Sequence, residues 1–363
     1  MSTLTHSLAF TGLMFYLQAL GAATIDVPAD TMQTYLAPCY DAGKGVNCEV
    51  SGVALTGASL ILANDKQMPE PGDPAIFTVA LNEHRIVGTP TYLEGEVLRS
   101  ADKFEGLTRT LDGKYVIAIT AFNKAGTAQN PSADALNTLL YWPEGEPEKA
   151  RIISASTRGQ VTSSRELRAK ISDAVGSPYY QIEAVSTAPG DRLLVGIRKH
   201  GSDSKSAGFS FLLLSISLSI SEQGAELGDQ FETLLSLTPD QLVEALGMEA
   251  GAYPALGLSG LEFDRYNNDR LYAVTSYERG DRLGGFLWVL PFEGDKPGKP
   301  RAIRLKDGST LAFIHKPEGV EVLDESHVLI VHDDDRLQVK DPKTNSQRQT
   351  HEFAYSVVTF GAK

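Results

Sequence analysis

The chain has 363 residues, 42% of them hydrophobic and 22% charged; that is enough apolar material for a sizeable core and excludes disorder by composition. The formal net charge of −13 excludes a nucleic-acid binder, which needs a basic face to neutralise phosphates. It disfavours an anionic membrane surface for the same reason.

The N-terminus carries a mostly apolar run from Leu8 to Leu20, followed by Gly21, Ala22 and Ala23. The run is shorter than the roughly 20 residues of a membrane span. Its length and small-residue end fit a secretory signal peptide over residues 1–23, although only His6, and no Lys or Arg, precedes it. A buried N-terminal helix is the competing reading. No other apolar run reaches spanning length, so no membrane span is expected. The rest, 24–363, reads as one domain, periplasmic or secreted. The only cysteines, Cys39 and Cys48, flank a Gly-containing loop. In an exported chain they are expected to form a disulfide, the alternative being two free thiols. No His pair with ligand spacing stands nearby to make a zinc site.

From residue 50 onward the chain repeats itself. Segments 50–65, 104–120, 182–198, 258–276 and 317–333 share one form. A Glu or Ser is followed by a small residue and an apolar one, then a turn rich in Gly, Asp or Asn, then a β-branched run ending in a polar residue. Each reads as a β-hairpin. Further strand-like runs follow at 75–81, 139–142, 211–220 and 285–290, with weaker ones at 150–153 and 301–305. Matched hairpins followed by outer strands predict an all-β chain folded as a β-propeller, with five readable blades and a possible sixth shared between the termini. A β-sandwich also spaces its strands evenly but rarely repeats matched hairpins.

The small residues Gly52, Gly106, Ala184, Gly260 and Gly319 lie 54, 78, 76 and 59 positions apart. The two long intervals each hold a helix-like insert. One, at 163–176, opens with a Ser163/Glu166 capping box, presents Leu167, Ile171, Ala174 and Val175, and stops at Gly176. The other, at 238–247, starts at Thr238-Pro239, presents Leu242, Ala245 and Leu246, and stops at Gly247.

The first and last residues of a hairpin share an end. This pairs Ser51 with Asp65, Glu105 with Thr120, Glu183 with Arg198, Ser259 with Ser276, and Glu318 with Asp333. As the first strand of each blade lines the central channel, these ten side chains should ring one mouth of it. Convergent carboxylates are costly to bury unpaired. They can hold a hard cation, for which Ca²⁺ is suited, pair with Arg198 and Lys66, or stay wet. A purely structural role, bonding backbone of the next blade, is the fourth possibility. The run from His332 to Arg336 ends a hairpin at the same mouth, and is open to metal binding, to a general base, or to a solvated turn. No His-Glu-x-x-His pair or EF-hand loop is present.

The phrases Phe-Glu-Gly-Leu at 104–107, Gln-Ile-Glu-Ala-Val at 181–185, Leu-Ser-Gly-Leu-Glu-Phe-Asp at 258–264 and Pro-Glu-Gly-Val-Glu-Val at 317–322 resemble those of bacterial phytase-like propellers, the group described by an "esterase-like activity of phytase" domain, and of a related propeller family of unknown function. The resemblance covers about residues 48–340. It implies a propeller, and, through the wider superfamily that includes gluconolactonases and paraoxonases, Ca²⁺ in the channel and hydrolysis of esters or lactones. Glu105, Glu183 and Glu318 match the channel-lining glutamates, while Ser51 and Ser259 stand where other blades carry Glu.

Two functions follow as expectations. The first is an exported Ca²⁺-dependent hydrolase of a phosphoester, ester or lactone. Glu105, Glu183, Glu318 and Asp333 would ligate the metal, His332 or Asp65 would act as base, and Arg198 would hold an anionic substrate group. The second is a non-catalytic propeller that binds a small molecule, a glycan or an envelope protein, using the inserts as a partner surface.

Overall fold

A computed structural model describes residues 28–361, apart from 44, 280, 281, 295 and 342–344. The expected signal peptide at 1–23 lies outside the described residues.

Five antiparallel sheets form a five-bladed β-propeller. The innermost strands are Val50–Thr56, Phe104–Arg109, Tyr179–Ala188, Gly257–Phe263 and Pro317–Val322, and each packs against the next around the axis. All five expected hairpins form, one per blade. There is no sixth blade among the described residues. The strand Ala29–Pro38 instead pairs with Glu352–Phe360 as the outermost strand of the fifth blade, so the two ends of the chain close the ring within one sheet.

The apolar residues gather into five clusters, one at each junction between neighbouring blades. Trp142 fills the junction of the first and second blades, and Trp288 that of the third and fourth. Burial on both sheet faces explains why the second strands read as continuous runs such as Leu-Ile-Val at 329–331 rather than as an alternation.

The repeated small residue has a steric cause. A Cβ at Gly52 would sit 3.0 Å from the backbone nitrogen of Leu107 in the next blade, and one at Gly319 would sit 2.9 Å from the Ser51 carbonyl oxygen. Neighbouring inner strands touch backbone to backbone there. The third blade carries Ala184 in this column, and its cross-strand partner is Gly196, which leaves the methyl room.

Both inserts are helical. Leu167–Val175 ends at Gly176 in the left-handed region, φ 70°, with Leu167 and Ile171 buried. The Ser163/Glu166 capping box does not form: Glu166 is the N-cap, in helical conformation, with no side-chain cap bond. The neighbouring hydroxyl of Ser164 is committed to the backbone of Leu139 and Ile153, which ties this segment to the second blade and starts the helix later. The second helix, Pro239–Ala245, has the expected start, with a full capping box between Thr238 and Gln241. Its buried face is Leu242, Val243 and Leu246; Ala245 is exposed.

Candidate functional site

Each inner strand carries a β-bulge at the same place in the repeat. The register shifts between Val50 and Gly52, Phe104 and Gly106, Ile182 and Ala184, Leu258 and Gly260, and Pro317 and Gly319. The bulged residues are Ser51, Glu105, Glu183, Ser259 and Glu318, the column singled out in the sequence. A bulge adds a residue to one strand and re-aims its side chain. Here it gathers these side chains at one mouth of the channel.

The mouth is a network of eight carboxylates and four cations. Lys66 pairs with Glu49 and lies 3.8 Å from Asp65. Lys103 reaches Asp65 at 3.3 Å and Glu105 at 2.5 Å, joining the first and second blades. Arg198 meets Glu183 at 3.4 Å, Glu318 at 3.0 Å and Glu278 at 3.2 Å. Lys316 meets Glu278 at 3.0 Å, Glu318 at 3.1 Å, Asp335 at 3.3 Å and Asp333 at 3.9 Å. The fourth blade supplies Glu278 and two small residues, Ser259 and Ser276, whose hydroxyls bond each other at 2.5 Å. Those small side chains, and Gly257 beneath the Arg198 stem, leave the passage through which Arg198 crosses to the fifth blade.

Of the predicted ring members, Thr120 alone turns aside, bonding backbone of the adjoining strand at Thr138. His332 is buried but does not face the channel. Side chains alternate along the strand His327–His332, so Val331 meets the Gly319 column while His332 points to the opposite face. There its Nε2 bonds Ser356 at 2.8 Å and its ring packs against Phe313 and His315. The expectation of a base at the mouth therefore does not hold for His332. Asp334 likewise turns inward, to His315 at 2.6 Å.

Among the described residues, one acidic group at the mouth brings ligand atoms within 4.8 Å of one another: Glu49, Asp65 and Asp333, all buried. Asp333 and Asp65 were singled out in the sequence, Glu49 was not. Glu105, Glu183 and Glu318 lie outside the triangle, held by Lys103, Arg198 and Lys316, while the triangle's own carboxylates also meet Lys66, Lys103 and Lys316. Asp65 Oδ1 has no hydrogen-bond partner, nor does the carboxamide oxygen of Asn47, whose nitrogen donates to Glu49.

The electrostatics follow this crowding. Burial, and then the nearby Glu49, push Asp65 up to about 7 against the pull of Lys103. Burial pushes Asp333 and Glu105 well above the usual carboxylate range. Burial also works to raise Glu49, but hydrogen bonds from Asp65, Lys66 and Asn47 outweigh it and hold it low. Asp65 is thus pushed toward its protonated form, in which it can donate to Glu49.

Three further residues of the mouth share one place in the repeat, although no common residue type marks it. Two positions before the bulge stand Glu49, Lys103, Gln181, Gly257 and Lys316; Lys103 and Lys316 are two of the mouth's four cations and Glu49 is a member of the acidic triangle. Three positions after it stand Ala54, Thr108, Ser186, Glu262 and Glu321. The four polar ones build a second polar layer deeper in the channel. Glu262 accepts from Thr108 at 2.9 Å and pairs with Arg265, and Glu321 accepts from the Leu55 and Val322 backbone at 2.7 and 3.0 Å.

Cys39 and Cys48 form the expected disulfide, with Cα atoms 6.0 Å apart. Among the described residues no helix is long and apolar enough to cross a membrane.

No family model matches the chain, and no curated protein matches it. Among solved structures it is similar to the PQQ-bound form of an aldose sugar dehydrogenase from Streptomyces coelicolor, at 14% identity and TM-score 0.36, over 91% of this chain and 99% of that one. It is similar to a DUF4623 family protein from Bacteroides eggerthii, at 9% identity and TM-score 0.40, over 93% and 77% of the two chains. It also resembles the β-propeller domain of the Trilobed protease from Pyrococcus furiosus, at 9% identity and TM-score 0.28, over 79% of each. These likenesses concern the fold and carry nothing about chemistry.

Proposed function

We propose that this propeller is an exported, divalent-cation-dependent hydrolase of an anionic ester, with its site at the channel mouth. The observation that carries the reading is the buried triangle of Glu49, Asp65 and Asp333. Three carboxylates suit a hard cation such as Ca²⁺, and the unpartnered oxygens of Asp65 and Asn47 offer further donor capacity. Such a cation, when bound, polarises a substrate oxygen and lowers the pKa of bound water. The chain's own cations divide the remaining work. Arg198 and Lys316 are buried and committed to carboxylates, so they hold the ring in shape. Lys66 is more than half exposed and stands at the rim, where it would meet an anionic group of the substrate. The resemblance of the hairpin phrases to phytase-like propellers supports a phosphoester as the first substrate class to test, with esters and lactones next. Export rests on the N-terminal apolar run and the disulfide.

The test is thermal unfolding with Ca²⁺, Mg²⁺ or Mn²⁺ against EDTA at fixed ionic strength, followed by a panel of p-nitrophenyl phosphate, p-nitrophenyl acetate and a lactone. A ligand that binds only the folded state raises stability by RT ln(1 + [L]/Kd), so millimolar Ca²⁺ should shift the midpoint by several degrees. Glu49→Gln and Asp333→Asn should remove both the shift and turnover. Glu183 and Glu318 are poor choices here, because their loss would strand Arg198. A midpoint indifferent to all three cations would sink the proposal.

A second reading, a binding propeller, is favoured by one feature. A cavity of about 420 Å³, lined by Met248, Ala252, Tyr253, Pro254, Tyr277 and Glu278, opens beside the mouth. The rings of Tyr253 and Tyr277 lie 4.5 Å apart there, an aromatic platform of the kind that stacks on a glycan or an apolar ligand. Tyr253→Ala should abolish glycan binding on this reading and spare the Ca²⁺ shift.

A further inference from the structure

Far from the triangle, a second cluster sits where the last blade meets the first. His84 lies in the two-residue turn joining the outer strands Ile76–Asn82 and Arg85–Tyr92 of the first blade. Asp324 and His327 lie at the turn of the fifth blade's inner hairpin. Their ligand atoms all fall within 4.8 Å of one another. His84 Nε2 is 2.7 Å from Asp324 Oδ2, and His327 Nδ1 is 2.9 and 3.0 Å from the two oxygens of the same carboxylate. The two imidazoles stack with centroids 3.8 Å apart.

Three features make this more than a surface hydrogen bond. Asp324 Oδ1 accepts from the Ser326 backbone nitrogen at 2.8 Å. That fixes the carboxylate and turns Oδ2 toward both rings, the outer support that metal-binding carboxylates show. The turn that delivers His84 is locally unfavourable, with Glu83 at φ 45° and His84 at φ 64°. Such turns select Asn-Gly or Asp-Gly, so Glu-His is an uncommon pair here, and it puts an imidazole at the seam. Finally, a cavity of about 540 Å³ opens on the cluster, lined by Thr31, Gln33, Tyr35, Asn82, Arg85 and Thr359. It has room for water or a further ligand at a fourth position.

We propose that His84, Asp324 and His327 form a binding site for a divalent transition metal of the Zn²⁺ class that clips the seam of the ring. Two imidazoles are borderline donors, and with one carboxylate they favour Zn²⁺, Cu²⁺ or Ni²⁺ over Ca²⁺ or Mg²⁺. With bonds of about 2.0–2.1 Å, tetrahedral ligands lie roughly 3.3 Å apart, so the metal requires the two His–Asp contacts to open by a few tenths of an ångström and the stacked rings to rotate until their nitrogens converge. On binding, each ring nitrogen facing Asp324 gives up any proton it carries, which moves to the other nitrogen of the same ring or to solvent. The metal joins the first blade to the fifth, beside the terminal strand that contributes Thr31, Gln33 and Tyr35 to the same cavity.

The experiment uses the full chain without an affinity tag, stripped by EDTA and dialysed. Co²⁺ is added and its visible d–d bands are recorded, and Zn²⁺ is titrated calorimetrically in the presence of saturating Ca²⁺, which masks the channel carboxylates. The expected result is one equivalent of Zn²⁺, tetrahedral or five-coordinate Co²⁺ bands, and a higher thermal midpoint. His84→Ala and His327→Ala should each weaken Zn²⁺ by more than the roughly 100-fold lost on removing an outer-shell partner. Both variants should keep the Ca²⁺ shift of the channel, so failure of this site and failure of the channel site are separate readings. Folding of each variant is checked by circular dichroism, and Ser326→Ala, which keeps the backbone bond, should bind as the parent does. Absence of Zn²⁺, Cu²⁺ and Ni²⁺ binding, or binding that survives both histidine replacements, overturns the proposal.

Discussion

Arg198, on the second strand of the third blade, reaches across the channel to Glu318 on the inner strand of the fifth, 3.0 Å away and with both side chains buried. The pair spans a whole blade. It also gathers Glu183 and Glu278, so one guanidinium holds carboxylates from three blades. Removing one partner of a buried pair leaves the others uncompensated, at a cost of about 3–5 kcal/mol. Arg198→Met should therefore lower unfolding stability by that amount in urea titration. Adding Glu183→Gln and Glu318→Gln should recover a large part of it, since neutral partners need no counter-charge. A single variant as stable as the parent would show that water reaches this pair.

The acidic triangle makes cation binding depend on pH. Asp65 is pushed up to about 7, first by burial and then by Glu49, whereas an unfolded aspartate titrates near pH 3.9. Between those values the folded chain binds more protons. The stability from this proton is therefore fully present below about pH 4 and is lost as pH rises through about 7. A bound cation must displace the proton. Ca²⁺ affinity should thus climb by at least tenfold per pH unit up to about pH 7, and burial of Asp333, which also raises its carboxyl, adds to that dependence. Calorimetric titrations at pH 5.5, 6.5 and 7.5 check this, and a flat profile would remove Asp65 from the ligand set. Asp65→Asn should bind more weakly and with a shallower slope, the remainder coming from Asp333.

Much of this architecture is written in the repeat, and the parts that were not legible have identifiable causes. The Glu or Ser column and the small residue after it mark the inner strand because bulge and backbone contact recur at each blade. The flanking cations Lys103 and Lys316 escaped notice because two of the five blades carry Gln181 and Gly257 in that column, so no common residue type announces it. Glu278 was hidden because the second strand of the fourth blade, Arg270–Arg279, runs past the expected end at Ser276. His332 was misassigned because alternation along a strand sends it away from its neighbour Asp333. The cluster of His84, Asp324 and His327 joins turns 240 positions apart, and no local pattern reports such a meeting.

The close approach of inner strands predicts an asymmetry between two near-equivalent positions. A Cβ at Gly260 would collide with the Glu318 carbonyl oxygen and lie 2.8 Å from Val274 Cγ2. Backbone cannot rotate out of the way as a side chain can, so Gly260→Ala should cost at least the roughly 1–3 kcal/mol of an overpacked core. Ala184→Gly, at the one blade whose partner strand already makes room, should cost only about 0.5–1 kcal/mol through backbone entropy. Urea midpoints of the two variants give the comparison. Equal losses would mean that the column is not set by strand contact.

The disulfide closes a short loop at the joint of the first and last blades. Cys39 and Cys48 also donate backbone bonds to His351 and Thr350, each at 2.9 Å. With 9 residues of separation, the chain-entropy treatment gives roughly 2–3 kcal/mol for the cross-link. The double variant Cys39→Ala, Cys48→Ala should lose about that much stability while keeping the fold. Reduction of the parent by dithiothreitol should reproduce the loss, and a parent indifferent to reductant would argue that the backbone bonds alone hold the joint.

Closure of the ring depends on the terminal strand. Ala29–Pro38 hydrogen-bonds along Glu352–Phe360 through nine registered pairs, and the covered strand carries Phe353, Tyr355, Val357 and Val358, all buried. Deleting residues 1–38 would leave that apolar strand as an open edge, a template for pairing with another chain. It would also release the contact between the N-terminal strand and the fourth blade's end, where the Ala29 nitrogen donates to Arg304 at 2.8 Å. The shortened chain should therefore elute from size-exclusion chromatography as dimers or larger aggregates, with a lowered thermal midpoint. Supplying a synthetic peptide of residues 28–38 in excess should restore the monomer, because the edge is then paired as in the parent. A monomeric deletion variant with the parent's midpoint would show that the fifth blade is complete with three strands.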